Sequence, residues 1–307
     1  MSQLFVSIGE CMIELAVTAE GLYRRGFAGD TLNTAWGVRG LSGPDVSVRY
    51  LTCVGDDTPS DEMVRFIGDA GIDTSHIGRV PGRPVGLYMI ALQGHERTFT
   101  YWRDTSAAKL LAADPATLRA DLAGARCIYF SGITLAILSP EHRATLFAAL
   151  AEARAAGAMI AFDANVRPRL WAGPDALRAG IEAGYRAATI ALPTFPDEAG
   201  LFGDATPGDA ARRIAGYGVE EIVVKDGAEP CTLVAGGETL SLPAERVDQP
   251  LDTTGAGDSF NAGYISARLK GHPPAEAVAH AHRVAAAVIG TRGALLDMAA
   301  LSALATG

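Results

Sequence analysis

Short apolar runs alternate with longer stretches of helical periodicity along most of the chain. Leu4–Ile8, Val46–Val54, Cys127–Ser131, Met159–Asp163, Thr189–Leu192 and Glu221–Lys225 are apolar runs of strand length. Between them, Ser60–Asp69, Pro140–Ala156, Asp175–Ala188 and Gly208–Tyr217 carry a helical pattern. The last third is helical, with Ala256–Lys270 ending at Gly271 and Ala275–Thr291 ending at Gly293. Strand–helix alternation of this kind predicts an α/β fold: a mainly parallel sheet with helices on both faces.

Two segments break the rhythm. Met12–Phe27 and Val85–Arg103 have few helix signals and predict antiparallel strands. In the second, Val85–Leu92 and Arg97–Arg103 flank the turn-like Gln93-Gly94-His95-Glu96. Phe99 and Tyr101 then share one face, with Thr98, Thr100 and Trp102 on the other. Both segments are read as a small β lid made of two insertions, although two separate peripheral hairpins would give the same periodicity. The chain then divides into an α/β domain (1–11, 36–83 and 112–307) and the lid (12–35 and 84–111).

Composition narrows the class of protein. The 307 residues suffice to bury a substantial core, and 49% apolar with 20% charged residues is an ordinary globular balance. The longest stretch without a formal charge, the fourteen residues Cys127–Pro140, is too short and too broken for a membrane span. A strand-like run begins at Leu4, so no secretory signal is expected and a cytoplasmic location is. Cys11, Cys53, Cys127 and Cys231 are scattered, which predicts reduced thiols. His280 and His282 alone do not make a metal site, and a helix-surface or core role is expected for them. A net charge of −9 argues against nucleic acid as a partner, yet leaves room for a small anionic substrate.

The strongest chemical signal is Asp252-Thr253-Thr254-Gly255-Ala256-Gly257-Asp258 ahead of a helix. Gly255, Ala256 and Gly257 have little or no side chain, so a phosphate can reach their N–H groups at a helix start, which form an anion hole. Asp258, one residue further on, is placed to accept a proton from a substrate hydroxyl. An Asp-capped helix after a glycine turn is the plain structural alternative. A dinucleotide fingerprint fails because Phe260 stands at its third glycine, and a P-loop fails because Lys109, Lys225 and Lys270 each follow a residue other than glycine.

The string Asp252–Asp258 resembles the C-terminal signature of the ribokinase-like (PfkB-type) sugar kinases, whose last Asp is the catalytic base. An early glycine motif, Ala28-Gly29-Asp30-Thr31-Leu32-Asn33-Thr34-Ala35, the two lid segments and the order of elements extend the resemblance over nearly the whole chain. It implies ATP and Mg²⁺ as cofactors, and sugar contacts from Gly29, Asp30 and Asn33. It also implies that Asn165 and Lys225 stand near the phosphates and Gly227 near the nucleotide. Asp252 and Thr254 match positions that hold a monovalent cation, K⁺ being the candidate. The family's N-x-x-E motif is altered in Thr194-Phe195-Pro196-Asp197-Glu198, where Glu198 is the residue expected to organise water around Mg²⁺.

Within the family, Gly29–Asn33, Glu96–Arg103 and Asp163–Trp171 resemble the kinases of 2-keto-3-deoxy sugar acids. The last two strings set arginines beside aromatic residues, and guanidinium matches a carboxylate in shape and charge. Arg103 and Arg167 are therefore assigned to the acid or keto end of the substrate, with Tyr88 and Tyr101 lining the pocket. Surface stacking pairs would give the same local sequence. The expected function is ATP-dependent phosphorylation of 2-keto-3-deoxygluconate at O6. A neutral sugar (fructose, ribose), a nucleoside, or a silent sugar-binding role on the same fold are the alternatives. An exposed lid edge favours a homo-oligomer.

Overall fold

The structure is a computed structural model that describes residues 3–18, 20–93, 96–291 and 293–305. In chain order the strands are β1 (Gln3–Ile8), β2 (Met12–Val17), β3 (Tyr23–Ala28), β4 (Val46–Leu51), β5 (Cys53–Val54), β6 (Gly78–Arg79) and β7 (Gly86–Gln93). They continue as β8 (Glu96–Trp102), β9 (Ala125–Ser131), β10 (Met159–Asp163), β11 (Ile190–Ala191), β12 (Glu221–Asp226), β13 (Glu229–Ala235) and β14 (Glu238–Leu242).

The main sheet has eight strands in the order β14-β13-β12-β11-β10-β9-β1-β4. It is parallel from β4 to β12, and β13 and β14 extend it as an antiparallel hairpin. Alternating side chains of the same strand go to opposite faces, each covered by helices. Phe5, Tyr129, Ala161 and Val223 enter one core with the helices Asp30–Leu41, Ala256–Leu269 and Pro274–Ile289. Val6, Ile128, Phe130, Ile160, Phe162 and Val224 enter the other, with Pro140–Ala155 and Pro174–Ala187. The α/β expectation is met, and its helices recur within two residues of the predicted ends.

Three local features depart from the sequence pattern. The run Val46–Val54 divides at Thr52, because β5 leaves the main sheet to pair with β6 through Cys53 and Gly78. The β13–β14 hairpin adds an edge that the pattern did not predict; its turn is Gly236-Gly237, both with positive φ (58° and 82°). The segment 12–35 reaches beyond the strands, since Asp30–Leu41 is a helix of the main body. That helix crosses the Ala256–Leu269 helix closely: a Cβ on Gly37 would stand 2.5 Å from the Cβ of Ala262.

The second sheet runs β3-β2-β7-β8. Its two hairpin pairs are antiparallel, and β2 joins β7 in parallel. Met12, Ala28, Tyr88 and Ile90 form a small core beneath it. Gly94-His95, the predicted turn, lies outside the described residues.

Candidate active site

The carboxyl ends of β1, β9, β10 and β12 and the N-termini of two helices converge on one edge of the main sheet, where open α/β sheets bind ligands. The helix starting at Asp30 meets the one starting at Ala256. Asn33 Nδ2 donates to Asp258 Oδ2 (2.8 Å), and Thr34 Oγ1 donates to the Asp258 carbonyl (3.3 Å). Gly29 turns the chain into the first helix. Its need for glycine is steric, since a Cβ there would come within 2.2 Å of the Glu10 carbonyl oxygen.

Asp258 sits in the first turn of its helix, with a pKa raised to about 7. Burial is the largest cause, Asp30 and Asp163 add like charge, and Asn33 and Lys225 pull the other way. A carboxylate that titrates near neutrality suits a general base. Asp30 itself is raised by burial, although Ser131, Asn165 and Thr31 hydrogen-bond to it. Asn165 Nδ2 donates to Asp30 Oδ2 (2.7 Å) from a left-handed backbone (φ 32°) that Asn tolerates, closed by Asn165 N–H to Asp163 Oδ1 (3.1 Å).

Lys225, at the end of β12, is buried. Its Nζ donates to Asp163 Oδ2 (3.2 Å) and Asn261 Oδ1 (2.9 Å), while Asn261 Nδ2 donates to Asp163 Oδ2 (2.7 Å). The same ammonium lies 3.7 Å from where a Cβ on Gly257 would be. A cation therefore stands against the glycine turn. First-turn amides have no intrahelical acceptor, and they carry the positive end of the helix dipole. Gly255 caps the helix at φ 75°, and a side chain there would strike Ala294 at 2.8 Å. The Ala256 N–H turns back to the Thr253 carbonyl (3.2 Å), so Gly257 is the better-placed amide for an anion.

Of the predicted sugar-side residues, Tyr88, Tyr101 and Arg103 lie on or just after β7 and β8. The Tyr88 hydroxyl donates to Glu14 Oε2, and its ring lies 5.8 Å from that of Tyr101, which is 48% exposed. Arg103 is buried, not solvent-facing: Nη2 donates to Glu10 Oε2, and Ser106 donates to the other oxygen of Glu10. The Arg103 Nε–H is buried with no partner among the described residues. Arg167 is exposed, with Nη1 donating to the Val166 carbonyl (2.9 Å).

Glu198 is fully buried, with the Tyr185 hydroxyl (2.5 Å) and Arg213 Nη2 (2.6 Å) donating to it. A helix starting at Phe195 points consecutive side chains in different directions, and the neighbouring Asp197 lies among the charges of the site. Asp197 Oδ2 accepts from Val166 N–H (3.1 Å); its pKa is raised, first by burial and then by Asp163, against Arg167 and Lys225. Asp252 orders the loop before Gly255, accepting from Thr254 N–H (3.0 Å) and Oγ1 (2.7 Å) and from Gly293 N–H (3.0 Å). Gly227 occupies an exposed left-handed turn after β12 (φ 61°).

Sequence reasoning missed Glu10, Glu14, Asp163, Asn261 and Asp197. Asn261 had a readable signal, being three residues past Asp258 on one helix face. Glu10 and Glu14 had another, as isolated acids inside the apolar string Ile8–Val17. His280 is a core residue, its pKa lowered to about 4 chiefly by burial, and no cluster of metal-ligating side chains occurs among the described residues. Among the described residues no helix is long and apolar enough to cross a membrane.

The glycine turn with Lys225 against it, the Asp258 carboxyl and the parallel sheet make an arrangement that suits a phosphate-transferring α/β enzyme. Residues 2–300 match the pfkB family of carbohydrate kinases. The chain is 40% identical over 313 residues to the 2-dehydro-3-deoxygluconokinase of Escherichia coli (strain K12), spanning 99% of this chain and 100% of that one. It is 41% identical over 306 residues to the 2-dehydro-3-deoxygluconokinase of Dickeya dadantii (strain 3937), spanning 96% and 97%. Its fold matches that of a putative ribokinase II from Escherichia coli in complex with ATP and Mg²⁺, with a TM-score of 0.83 and 22% identity over 100% and 99% of the two chains. The chain belongs to the pfkB family of carbohydrate kinases.

Proposed function

We propose that this kinase transfers the γ-phosphoryl group of ATP to O6 of 2-dehydro-3-deoxygluconate (2-keto-3-deoxygluconate). The observation that carries the reaction is Asp258, titrating near 7 beside the Gly257 amide and the Lys225 ammonium. Asp258 takes the proton of the 6-hydroxyl as the O6–P bond forms. The P–O bond to the β-phosphate breaks, and its electron pair leaves with ADP. Lys225 and the first-turn amides face the charge on the moving phosphoryl group. Asn33 holds the base in place, and Asp163 with Asn261 holds the lysine.

Acceptor choice rests on Arg103, whose Nε–H, buried without a partner among the described residues, suits an anionic ligand atom, and on Arg167. Gly29, Asp30, Tyr88 and Tyr101 complete the sugar side; Asn165 and Gly227 belong to the nucleotide side. Mg²⁺ neutralises phosphate charge when bound. Asp197, beside Asp163 and Lys225, is a carboxylate that would face such an ion. K⁺ is proposed for the Asp252–Thr254 loop.

The second sheet closes over the sugar as a lid and leaves Tyr23, Phe99, Tyr101 and Trp102 exposed, which suits a homodimer formed through it. Light scattering tests the dimer, and a monomer at micromolar concentration would refute it. The location proposed is the cytoplasm.

The test of function is ADP release with the gluconate and galactonate epimers, fructose, ribose and adenosine. The expected result is a kcat/KM for the 2-keto-3-deoxy acids at least ~10²-fold above the neutral compounds, as loss of a charged partner implies. Equal turnover of fructose would overturn the acid assignment, and no turnover of any acceptor would remove the kinase reading.

A further inference from the structure

We propose that Glu10 and Glu14 are positioning residues that fix, respectively, the donor edge of Arg103 and the acceptor face of Tyr88, so that the site reads an acid and a hydroxyl in one orientation. The inference deepens the sugar-acid reading and rests on it.

Both glutamates lie on the short path from β1 into β2, in the string Gly9-Glu10-Cys11-Met12-Ile13-Glu14. Glu10 is almost wholly buried, at the seam of the two sheets. Space for it comes from Gly86: a Cβ on that residue would stand 2.7 Å from Glu10 Oε1. One oxygen of Glu10 accepts from Arg103 Nη2 and the other from Ser106. A guanidinium anchored on one corner cannot rotate to follow a ligand. Its remaining N–H groups are presented at a set angle, and Nε–H is left buried without a partner among the described residues. A carboxylate or keto oxygen would complete that edge.

Glu14 does the converse for Tyr88. The two residues are register partners in adjacent parallel strands, and Tyr88 in turn pairs with Tyr101 across the β7–β8 hairpin. Because the Tyr88 hydroxyl hydrogen is given to Glu14, the phenolic oxygen has only lone pairs left to offer. It can accept from a sugar hydroxyl but cannot donate to a carboxylate. Burial and the Glu14 charge both raise the Tyr88 pKa, which keeps that hydrogen in place. Arg103 thus offers donors and Tyr88 an acceptor. An acceptor sugar bound the wrong way round would set its acid against Tyr88 and leave Arg103 unpaired.

Glu10→Asp keeps the charge and withdraws the oxygens by one methylene; Glu14→Gln keeps the shape but removes the charge that holds the tyrosine hydrogen and adds a competing amide donor. Each is expected to raise KM for the sugar acid roughly tenfold, as small misplacements of binding groups do, with kcat and the KM for ATP within about twofold of wild type. The Tyr88→Phe and Glu14→Gln effects should not add, nor should those of Arg103→Met and Glu10→Asp. Additive pairs, an unchanged KM, or equal losses for ATP and sugar acid would overturn the proposal. So would a lowered KM in Glu10→Asp, which would make Glu10 a charge that weakens binding. If Glu10→Asp gives no folded protein, Ser106→Ala, which removes the second donor on Glu10, decides that arm by the same ratios. Wild-type turnover of the sugar acid reports separately on the parent reading, since only variant-to-wild-type ratios bear on the glutamates.

Discussion

Replacing Asp258 by Asn should disable the enzyme and stabilise its fold, and the two effects share one cause. In the folded chain the Asp258 pKa is raised from 3.8 to about 7, chiefly by burial and then by Asp30. A raised pKa means that the folded state favours the protonated form. The resulting stability is fully present below 3.8 and is lost as pH rises through about 7. Above that, the ionised carboxylate costs the fold about 3 units at 1.36 kcal/mol each, or about 4 kcal/mol as an upper bound. Asn cannot ionise, and its side-chain oxygen can still accept from Asn33. It gives up an acid in the first helical turn, worth ~0.3–1 kcal/mol. A net gain of ~1–3 kcal/mol at pH 8 remains. At about 2.1 cal/mol/K per residue, a chain of 307 residues gains ~1.5 °C per kcal/mol, so Tm should rise by ~2–5 °C. Near pH 4 the gain should vanish. Turnover should fall by ~10²–10⁴-fold, and wild-type kcat/KM should drop about tenfold per unit below pH 7. Calorimetry at pH 4 and 8, beside an ADP-release assay, checks both halves. Near wild-type kcat refutes the base; a Tm change that is the same at both pH values refutes the electrostatic origin.

Gly257→Val puts a branched side chain 3.7 Å from Lys225 Nζ on an exposed turn, so kcat should fall at least ~10²-fold with Tm within a few degrees of wild type. Activity loss that merely tracks unfolding would end the anion-hole assignment. Arg103→Met should raise KM for the sugar acid about ten- to a hundredfold and spare the KM for ATP. Tm should fall as well, because buried Glu10 loses its partner, and a neutral analogue should scarcely respond. Glu198→Gln breaks the buried Tyr185–Glu198–Arg213 contacts and should cost ~1–3 kcal/mol of stability while leaving the Mg²⁺ dependence of turnover unchanged. Asp197→Asn should do the reverse, and a shifted Mg²⁺ requirement in Glu198→Gln would restore the original expectation.

What the sequence made legible was whatever follows from local periodicity or from an uninterrupted string. The strands ending at Ile8, Ser131 and Asp163 are continuous apolar runs because both of their faces are buried, and they were found. The β13–β14 hairpin is half-exposed and rich in polar residues, which is why its pattern was weak. Asp258 could be found because its partners in chemistry are its chain neighbours. Asp163 could not, since 62 residues separate it from Lys225 and only the fold brings the two together. The division of roles between Asp197 and Glu198 was hidden for a similar reason. Two acids stand side by side in the sequence, and which one faces the site depends on where the helix beginning at Phe195 starts its first turn. Arg103 was assigned to the acid or keto end of the substrate from its own string, yet its burial against Glu10, 93 residues away, is not a property of that string.

The distribution of charge bears directly on which acceptor the site can admit. Asp30, Asp163, Asp197 and Asp258 crowd the reacting end, with Lys225 as the buried cation among them. A carboxylate placed there would meet like charge from several sides, and it would raise the Asp258 pKa further and suppress the base. Any acid in the substrate must therefore lie away from the hydroxyl that reacts. On the proposed reading Arg103 would supply that separate place, because Glu10 ties it to the junction of the second sheet and the end of β1, while Asp258 is tied by Asn33 to the start of a different helix. A six-carbon 2-keto acid carries its carboxylate on C1 and its reacting hydroxyl on C6, at opposite ends of one chain. The same arithmetic explains why the arginine comes with its own glutamate. Left unpaired, a buried guanidinium would be costly. Paired to Glu10, it is neutralised on one edge and still has a donor to give on the other.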